Sequence, residues 1–245
     1  MGSLEAAFAH FTWTLTVSDL SDVEILTHER DARALLEGLG FYGDYFFQEG
    51  DEAYNRYPQP AYPVAWYWYR LSAIFQPLPE EVLYRVAILD IAFSGRKDAV
   101  NVINEEMIVP LGQRLILEPT QLLRFTDGTP VTVNEIDGKK AGMFYGRRDI
   151  GGVLLDVREE TAYCITINAL DRPPEPTHLE ITLDLNELML VELTEGDDKW
   201  KTFTQEVQLN PGLRLLGIRL ANDAIVSGLD RNGHVGEIIL QECQD

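Results

Sequence analysis

The sequence predicts a mainly β protein, with a C-terminal antiparallel jelly-roll β-sandwich preceded by a β-rich region that contains one short helix. Five apolar runs of strand length follow one another after residue 160, and turn-forming residues separate them. Within the second run, Leu179, Ile181, Leu183 and Leu185 alternate with polar residues, which is typical of a strand with one buried and one solvated face. Several short strands at this spacing indicate an antiparallel sandwich. The five runs cover residues 161–170, 177–193, 200–209, 213–220 and 234–242.

The first half of the sequence predicts less regular elements. Residues 28–40 contain helix-forming residues and end at a glycine suited to a C-cap, so a short helix is expected there. The aromatic stretch 41–75 is broken by glycine and proline, which predicts mostly loop before a strand that begins near Val64. Residues 81–95 are apolar at both odd and even positions, which predicts a strand covered on both faces. Two more strands are expected within residues 99–110 and 113–125.

A domain boundary is expected near residue 126. Residues 126–142 contain three glycines and a proline among polar residues, as at a boundary or in the opening turns of a new unit. The prediction is therefore a β-rich N-terminal region over residues 1–125, to which no role is assigned, and a β-sandwich over residues 126–245. The 245 residues are enough to bury a core without disulfide bonds.

The charge of the chain restricts its partners. The sequence has 40 acidic and 20 basic residues and a formal net charge of −20. Such a surface repels phosphate backbones and anionic lipid headgroups, so neither nucleic acid nor membrane is expected as a partner. No apolar stretch approaches the roughly 20 residues that a membrane span needs. Cations and neutral ligands are better partners, although composition alone favours solubility or adaptation to a salty setting as the explanation of the charge.

The two cysteines do not indicate in which cellular compartment the protein works. Cys164 lies in a strand-like run and Cys243 lies near the C-terminus, and neither belongs to a CxxC motif or a Cys/His cluster. A bridge between them is compatible with the sequence but does not follow from it.

The segment "ANDAIVSGLDRN", residues 221–232, concentrates polar residues between two strand-like runs. It holds Asp223, Asp230 and Arg231 around a central glycine. Aspartate and asparagine favour turns because their side chains bond nearby backbone amides, and Arg231 could pair with either aspartate. Carboxylates and carbonyls that converge in a loop are also the ligands that Ca²⁺ takes in proteins.

The order of elements around this segment resembles the C-terminal half of calcium-dependent, xylan-binding type carbohydrate-binding modules. In those modules a tryptophan-bearing strand leads to a P-G turn and a strand ending in N-D, and a D-R-N sequence precedes the last strand. The resemblance covers residues 126–242 and implies a jelly-roll β-sandwich. The matching residues are Trp200, Pro211, Gly212, Asn222, Asp223, Asp230, Arg231 and Asn232.

The resemblance also implies a site. In those modules the aspartates of the loop bind calcium and the ion coordinates sugar hydroxyls, which makes Asp223 and Asp230 the expected metal ligands. Backbone carbonyls would complete the roughly six to eight oxygens of the calcium shell, and Gly228 would let the loop curl. The ligand-binding residues that the resemblance implies are Asn222, Arg231, Asn232 and Trp200.

The sequence departs from the modules just after the D-R-N motif. Members commonly have a bulky apolar residue, an aromatic residue and, after a valine, an acidic residue at these positions. Here they are Gly233, His234 and Gly236. Recognition of the sugar loses one expected contact as a result.

The aromatic run Trp66, Tyr67, Trp68 and Tyr69 suggests a protein interface. In a strand from Val64, the two tryptophans would share one face and the two tyrosines the other. One face would be core and the other an interface, since tyrosine and tryptophan are enriched at protein interfaces. A platform for stacking sugar rings is the less favoured alternative.

No catalytic motif stands out in the sequence. The four histidines are scattered, and the chain contains neither HExxH nor GxSxG. The acidic pairs at 105–106 and 197–198 consist of neighbours, which point to opposite faces of a strand and so cannot form a retaining-type carboxylate pair by themselves. The protein is therefore expected not to be an enzyme.

Two functions remain. The leading hypothesis is a glycan-binding protein whose calcium-dependent jelly roll binds a polysaccharide or surface glycan. The alternative is a structural subunit of a larger assembly, such as a phage tail, baseplate or capsid-decorating protein, which would form a homo-oligomer or bind assembly partners through residues 41–75. Both hypotheses favour an extracellular, cell-surface or virion location over a cytoplasmic one.

Overall fold

The structure is a computed structural model that describes residues 40–56, 60–94, 108–146, 150–174 and 176–243. The chain divides into two compact units, Met1–Leu78 and Pro79–Asp245. The predicted boundary at residues 125 and 126 lies inside the second unit. The helix predicted over residues 28–40 lies almost wholly outside the described residues, and so does most of the strand predicted over residues 99–110.

The described part of the first unit is a pair of helices, α1 (Gly40–Tyr54) and α2 (Tyr62–Phe75). Gly50 of α1 makes room for the ring of Tyr69, because a methyl group on Gly50 would lie 2.7 Å from that ring. The Tyr69 hydroxyl donates to Asp51 Oδ1 at 2.8 Å. Among the described residues, no helix of the chain is long and apolar enough to cross a membrane.

The predictions of mostly loop over residues 41–75 and of a strand from Val64 are wrong. Pro63 lies in the first turn of α2, where its missing N–H costs nothing, and no further proline or glycine follows in the helix. The buried residues recur at helical spacing, at Tyr62, Ala65, Tyr69 and Ser72. Packing against α1 therefore overrides the strand preference of the aromatic residues.

The second unit contains one helix, α3 (Glu80–Ser94), and fourteen strands among the residues that the structure describes. A 3₁₀ turn covers Pro119–Gln121. In chain order the strands are β1 (Ile108–Pro110), β2 (Arg114–Leu117), β3 (Leu123–Arg124), β4 (Thr132–Ile136), β5 (Lys139–Phe144), β6 (Gly151–Val157), β7 (Thr161–Asp171), β8 (Thr177–Leu183), β9 (Asn186–Leu193), β10 (Lys199–Leu209), β11 (Gly212–Leu220), β12 (Ile225–Val226), β13 (Leu229–Asp230) and β14 (Gly233–Glu242).

The strands form two six-stranded sheets and a small ribbon. The first sheet has the order β1-β6-β11-β8-β9, with β3 also paired to β6. The second sheet has the order β10-β7-β14-β5-β4, with β2 also paired to β14, and β12 and β13 form the ribbon. Every pairing is antiparallel except that of β1 with β6. The predicted mainly β fold with an antiparallel β-sandwich is confirmed.

The core lies between the two sheets. On β7, alternate residues Ile165, Ile167 and Ala169 point inward and are fully buried. Leu179 and Ile181 on β8 belong to the same cluster, as the alternation in the sequence predicts. Each strand therefore presents its other parity to the outside of the sandwich.

Helix α3 packs against β11, so the outer side of the first sheet is also buried at this strand. Leu154 and Leu215 lie opposite each other on β6 and β11 and are completely buried, although neither belongs to the core between the sheets. The strand predicted over residues 81–95 is wrong. A helix that is buried on most of its circumference is apolar at both odd and even positions. The hydrophobic pattern of its sequence therefore cannot distinguish it from a buried strand.

A disulfide bond joins Cys164 of β7 to Cys243, which follows β14. The Cys243 amide also donates to the Ala162 carbonyl at 3.0 Å, so the chain end continues the pairing of β14 with β7. The two cysteines are 79 residues apart in the sequence, so the bond closes a long loop. Disulfides persist in oxidising compartments, so this bond is consistent with an extracellular location.

We expect reduction of this bond to lower the free energy of unfolding by about 2–4 kcal/mol, because a long loop is released in the unfolded chain. Urea unfolding with and without a reductant measures the loss. A Cys164→Ser, Cys243→Ser variant should match the reduced wild type and show no response to reductant. Equal stability of oxidised and reduced wild type would contradict the prediction.

Candidate functional site

Four loops meet at one end of the sandwich, which we call the loop end. Their described residues are 145–146 and 150, 172–174 and 176, 194–198, and 221–232, and the loops follow β5, β7, β9 and β11, respectively. Because sandwich loops cluster at the two ends of the sheets, residues far apart in sequence come together there.

The segment 221–232 forms a small hairpin. Strands β12 and β13 pair, and Ser227 and Gly228 make the turn between them. Both turn residues have positive φ, 53° and 80°, as a two-residue type I′ turn requires. Gly228 thus serves to reverse the chain at the tip of the hairpin.

Asn222 attaches the base of the hairpin to the neighbouring loop. Its Oδ1 accepts from the His178 amide at 2.8 Å, and its Nδ2 donates to the Pro176 carbonyl at 2.7 Å. The side chain therefore bonds protein backbone through both ends of its amide.

Arg231 makes a second attachment and is buried. Its Nε donates to the Pro174 carbonyl at 3.3 Å, and its Nη1 donates to the Asn222 carbonyl. The D-R-N motif thus places a cation under the loops, where it binds carbonyl oxygens. Its role as a ligand-binding residue stays a prediction, as does that of Asn222.

Asp223 and Asp230, the predicted calcium ligands, lie in the exposed part of the hairpin. Asp230 pairs with Ile225, two residues beyond Asp223. The Asp223 carboxylate lies beside Gly146, where a methyl group on the glycine would be 3.3 Å from Oδ2. Among the described residues, neither aspartate joins a group of three or more possible metal ligands.

The two glycines that depart from the module pattern have a structural reason. A methyl group on Gly233 would lie 2.3 Å from the Leu179 side chain, and one on Gly236 would lie 2.9 Å from the Trp200 ring. The space that a larger side chain would need is therefore filled by other residues, and at Gly236 it is filled by an indole.

Trp200 lies on the outer face of the second sheet, next to the loop end. It is half-buried over Gly236, and Lys139 Nζ lies 5.6 Å from the ring centroid. Its indole N–H is buried and forms no hydrogen bond with the described residues, and the same holds for Oδ1 of Asn232. Buried polar groups are normally paired with protein groups or with ordered water.

A row of neutral polar side chains continues from Trp200 along the same face. Thr202 Oγ1 donates to Asn168 Oδ1 at 2.8 Å, and the hydroxyls of Thr166 and Thr204 are 3.0 Å apart. The two threonines on β10 are exposed. The outer face of the second sheet thus offers hydroxyl and amide groups to the solvent.

An acidic pocket lies beneath the loop that precedes Trp200. Carboxylate oxygens of Asp171, Glu195 and Asp197 lie within 4.8 Å of one another, a spacing that could hold a metal ion. Lys201 Nζ lies 2.7 Å from Asp171 Oδ2 and 2.9 Å from Glu195 Oε2. Burial raises the pKa of Asp171, but the hydrogen bonds from Lys201 and from the Glu195 and Gly196 amides outweigh it, so this pKa is lowered.

Sequence reasoning missed this pocket. It treated Asp197 and Asp198 as neighbours in a strand, whereas both lie in the loop before β10. Asp197 turns toward Lys199 and Lys201, and Asp198 pairs with Arg172 at 3.0 Å. The signal was the alternation of acidic and basic residues in "EGDDKWK" together with an aspartate at the end of the strand that pairs with β10.

The four aromatic residues proposed as an interface lie on α2 and do not share two faces as a strand would. Tyr69 is fully buried, and Trp68 stacks on Phe46 with ring centroids 5.4 Å apart. Arg70 lies over the Trp66 ring, and Tyr67 is exposed. The helical period distributes them around the axis.

His234 is buried next to Arg172 and Asp198 at the loop end. Burial lowers its pKa from the usual 6.5, and the charge of Arg172 lowers it further. The folded protein therefore keeps the imidazole neutral at pH values where the unfolded chain already binds a proton.

We expect His234 to make the protein less stable in acid. Its contribution is complete above about pH 6.5, is lost as the pH falls below that value, and stops changing below the folded pKa. Urea unfolding between about pH 7.5 and pH 5 should show a smaller decrease in the free energy of unfolding for His234→Gln than for the wild type. Identical pH profiles would contradict this assignment.

No protein-family model matches the chain, and no curated protein matches it. Among solved structures, the chain is similar to a β-(1,4)-mannanase with GH26 and CBM35 domains from Podospora anserina, at 15% identity and a TM-score of 0.40, over 54% of this chain and 28% of that one. It is also similar to a family 35 carbohydrate-binding module from Clostridium thermocellum, at 11% identity and a TM-score of 0.39, over 54% of this chain and 100% of the module. A third similar structure is the C-terminal CBM6 of a marine laminarinase from Zobellia galactanivorans, at 13% identity and a TM-score of 0.38, over 53% and 99% of the two chains.

Proposed function

We propose that the protein is a non-catalytic glycan-binding protein, and that its β-sandwich binds a polysaccharide or surface glycan on the outer face of the second sheet. One observation carries the proposal. On its outer face the first sheet is covered by α3 at β11, whereas the second sheet presents Trp200 and a row of neutral hydrogen-bonding side chains to the solvent.

The chemistry of this face suits a sugar. A pyranose has an apolar face, which packs on an indole, and a rim of hydroxyl groups, which donate and accept hydrogen bonds. The hydroxyls of Thr202 and Thr204 and the amide of Asn168 can each act as donor and acceptor. From Trp200 to Thr204 this row extends along the strand for roughly 13 Å, enough for a short oligosaccharide.

The charge of the protein favours a neutral glycan. With a net charge of −20, the chain repels acidic polysaccharides at long range, and raising the salt concentration weakens that repulsion. The row on β7 and β10 from Trp200 to Thr204 contains no charged side chain. A neutral sugar that binds there therefore leaves no charged side chain of this row without a partner.

We further propose that Asp223 and Asp230 bind a calcium ion that takes part in glycan binding. Both carboxylates are exposed at the loop end, and the bonds of Asn222 and Arg231 hold the base of their hairpin. An ion there would take the rest of its oxygens from backbone carbonyls, water and the hydroxyls of the ligand.

An extracellular or cell-surface location accords with this function, because polysaccharides are abundant there. The bond between Cys164 and Cys243 supports it, since such bonds persist in oxidising compartments. A virion location accords equally well with the disulfide.

A second candidate function, that of a structural subunit in a larger assembly, is favoured by the surface of α2. Val64, Tyr67 and Ile74 are exposed by 47%, 36% and 45%, and their spacing of three and seven residues places them on one side of the helix. An exposed apolar stripe is typical of a protein interface. Sedimentation of the wild type and of Val64→Glu, Ile74→Glu tests this candidate: a stable oligomer that the variant loses supports it, and a monomeric wild type rules it out.

We expect Trp200→Ala to reduce affinity for a neutral polysaccharide at least tenfold, which corresponds to about 1.4 kcal/mol. Affinity electrophoresis against a panel of neutral and acidic polysaccharides identifies the ligand, and titration calorimetry measures the loss. Trp66→Ala, in the first unit, is the matched control and should bind like the wild type. A Thr202→Ala, Thr204→Ala variant provides a second test, because it should weaken binding without removing a large, half-buried ring.

If no polysaccharide in the panel binds the wild type, or if Trp200→Ala binds as tightly as the wild type, the proposed face is wrong.

We expect Ca²⁺ to raise the thermal midpoint of the wild type by several degrees relative to excess EGTA. An ion at 100 times its Kd that binds only the folded protein adds about 2.7 kcal/mol. In Asp223→Ala, Asp230→Ala the midpoint should not respond. A wild type that is indifferent to calcium would remove the metal from the proposal and leave the Trp200 face in place.

A further inference from the structure

The buried carboxylate of Asp171 already has a full set of partners. Its Oδ1 accepts from the Gly196 amide at 2.9 Å, and its Oδ2 accepts from the Glu195 amide at 3.0 Å and from Lys201 Nζ at 2.7 Å. The carboxylate has no exposed surface. A buried charge of this kind is retained only where it is paired and hydrogen-bonded, and here both conditions are met.

Lys201 occupies the point where the acidic groups converge. Its Nζ lies 2.7 Å from Asp171, 2.9 Å from Glu195 and 3.9 Å from Asp197. A divalent ion that bound all three carboxylates would have to lie at about the same point, because metal–oxygen distances are about 2.3–2.6 Å. The ammonium and the metal therefore exclude each other by volume and by like charge.

The strand register explains why the lysine reaches the pocket. Lys201 on β10 pairs with Ala169 on β7, and Asp171 lies two residues further along β7 on the same face. Two residues span about 6.6 Å along a strand, which the lysine stem bridges. The small side chain of Ala169 leaves the stem room to pass.

We infer that the Lys201 ammonium is the resident cation of the acidic pocket, so that the pocket takes no divalent metal in the native protein. The pocket thus differs in kind from the hairpin of Asp223 and Asp230, where no cationic side chain is paired with the carboxylates among the described contacts. The Lys201 side chain joins the end of β7 to the loop that leads into Trp200. It thus holds this part of the loop end together in place of a metal ion. The inference does not rest on glycan binding.

The test uses the Asp223→Ala, Asp230→Ala chain, so that the hairpin does not contribute a response to metal. Thermal unfolding is measured in excess EGTA and in about 10 mM CaCl₂, with NaCl at matched ionic strength. With Lys201 present we expect the same midpoint in both. With Lys201→Ala added, we expect the midpoint in EGTA to fall by roughly 5–10 °C, because Asp171 and Glu195 lose their cation. Calcium should restore at least half of that loss, because the vacated point can then hold the ion.

Two further variants separate a cation site from an ordinary surface pair. Lys199→Ala removes the exposed lysine that pairs with Asp197 at 2.8 Å, and should change the midpoint by no more than about 2 °C. Lys201→Arg keeps the positive charge and should remain indifferent to calcium. This variant also keeps the inference testable if Lys201→Ala does not fold.

Three results would overturn the inference. The first is a calcium response in the Asp223→Ala, Asp230→Ala chain or in Lys201→Arg, which would show that metal enters beside the lysine. The second is a Lys201→Ala chain as stable in EGTA as its parent. The third is a destabilised Lys201→Ala chain that calcium leaves unchanged, which would make the pocket an ordinary ion pair and not a site for a cation.

Discussion

Burial of one face of each sheet against the other is the constraint on which the rest of this structure depends. Side chains alternate along a strand, so once Ile165, Ile167 and Ala169 are committed to the core, their neighbours on β7 must point outward. The same alternation, carried across the register to β10, places Trp200, Thr202 and Thr204 on the outer face. The polar face is thus a consequence of the core.

The residues of β10 that point inward include one charged side chain near the loop end. Lys201 follows Trp200 and therefore points toward the interior, where a charge survives only if it meets an opposite charge. Asp171 provides it, and the amides of Glu195 and Gly196 complete the arrangement. Lys201, with its ion pair, and Trp200, with its half-buried indole, are adjacent residues of one strand and therefore point to opposite faces of the sheet.

Strand pattern and turn chemistry predicted the sandwich well and the helices badly. Alternation over residues 177–193 predicted one strand, whereas the structure has two, β8 and β9, separated by a turn at Asp184 and Leu185, which both have positive φ. The stretches that became α2 and α3 were taken for strands. Aromatic and apolar side chains dominate both stretches, and the preference of such residues for strands is weaker than the packing that a helix gains when most of its surface is buried. The order of Trp200, Asn222 and Arg231 located the loop end but not the bonds that they make.

By itself, the sequence determined the class of the fold, most of the strand segments after residue 160 and the polar segment 221–232, because these follow from local alternation and turn residues. Only the tertiary structure decided which face of which sheet stays open, since α3 comes from a distant part of the chain. It also decided that Asp171, Glu195 and Lys201 meet, and that Gly236 lies under Trp200. Those contacts depend on strand register and loop packing, which no short stretch of sequence encodes.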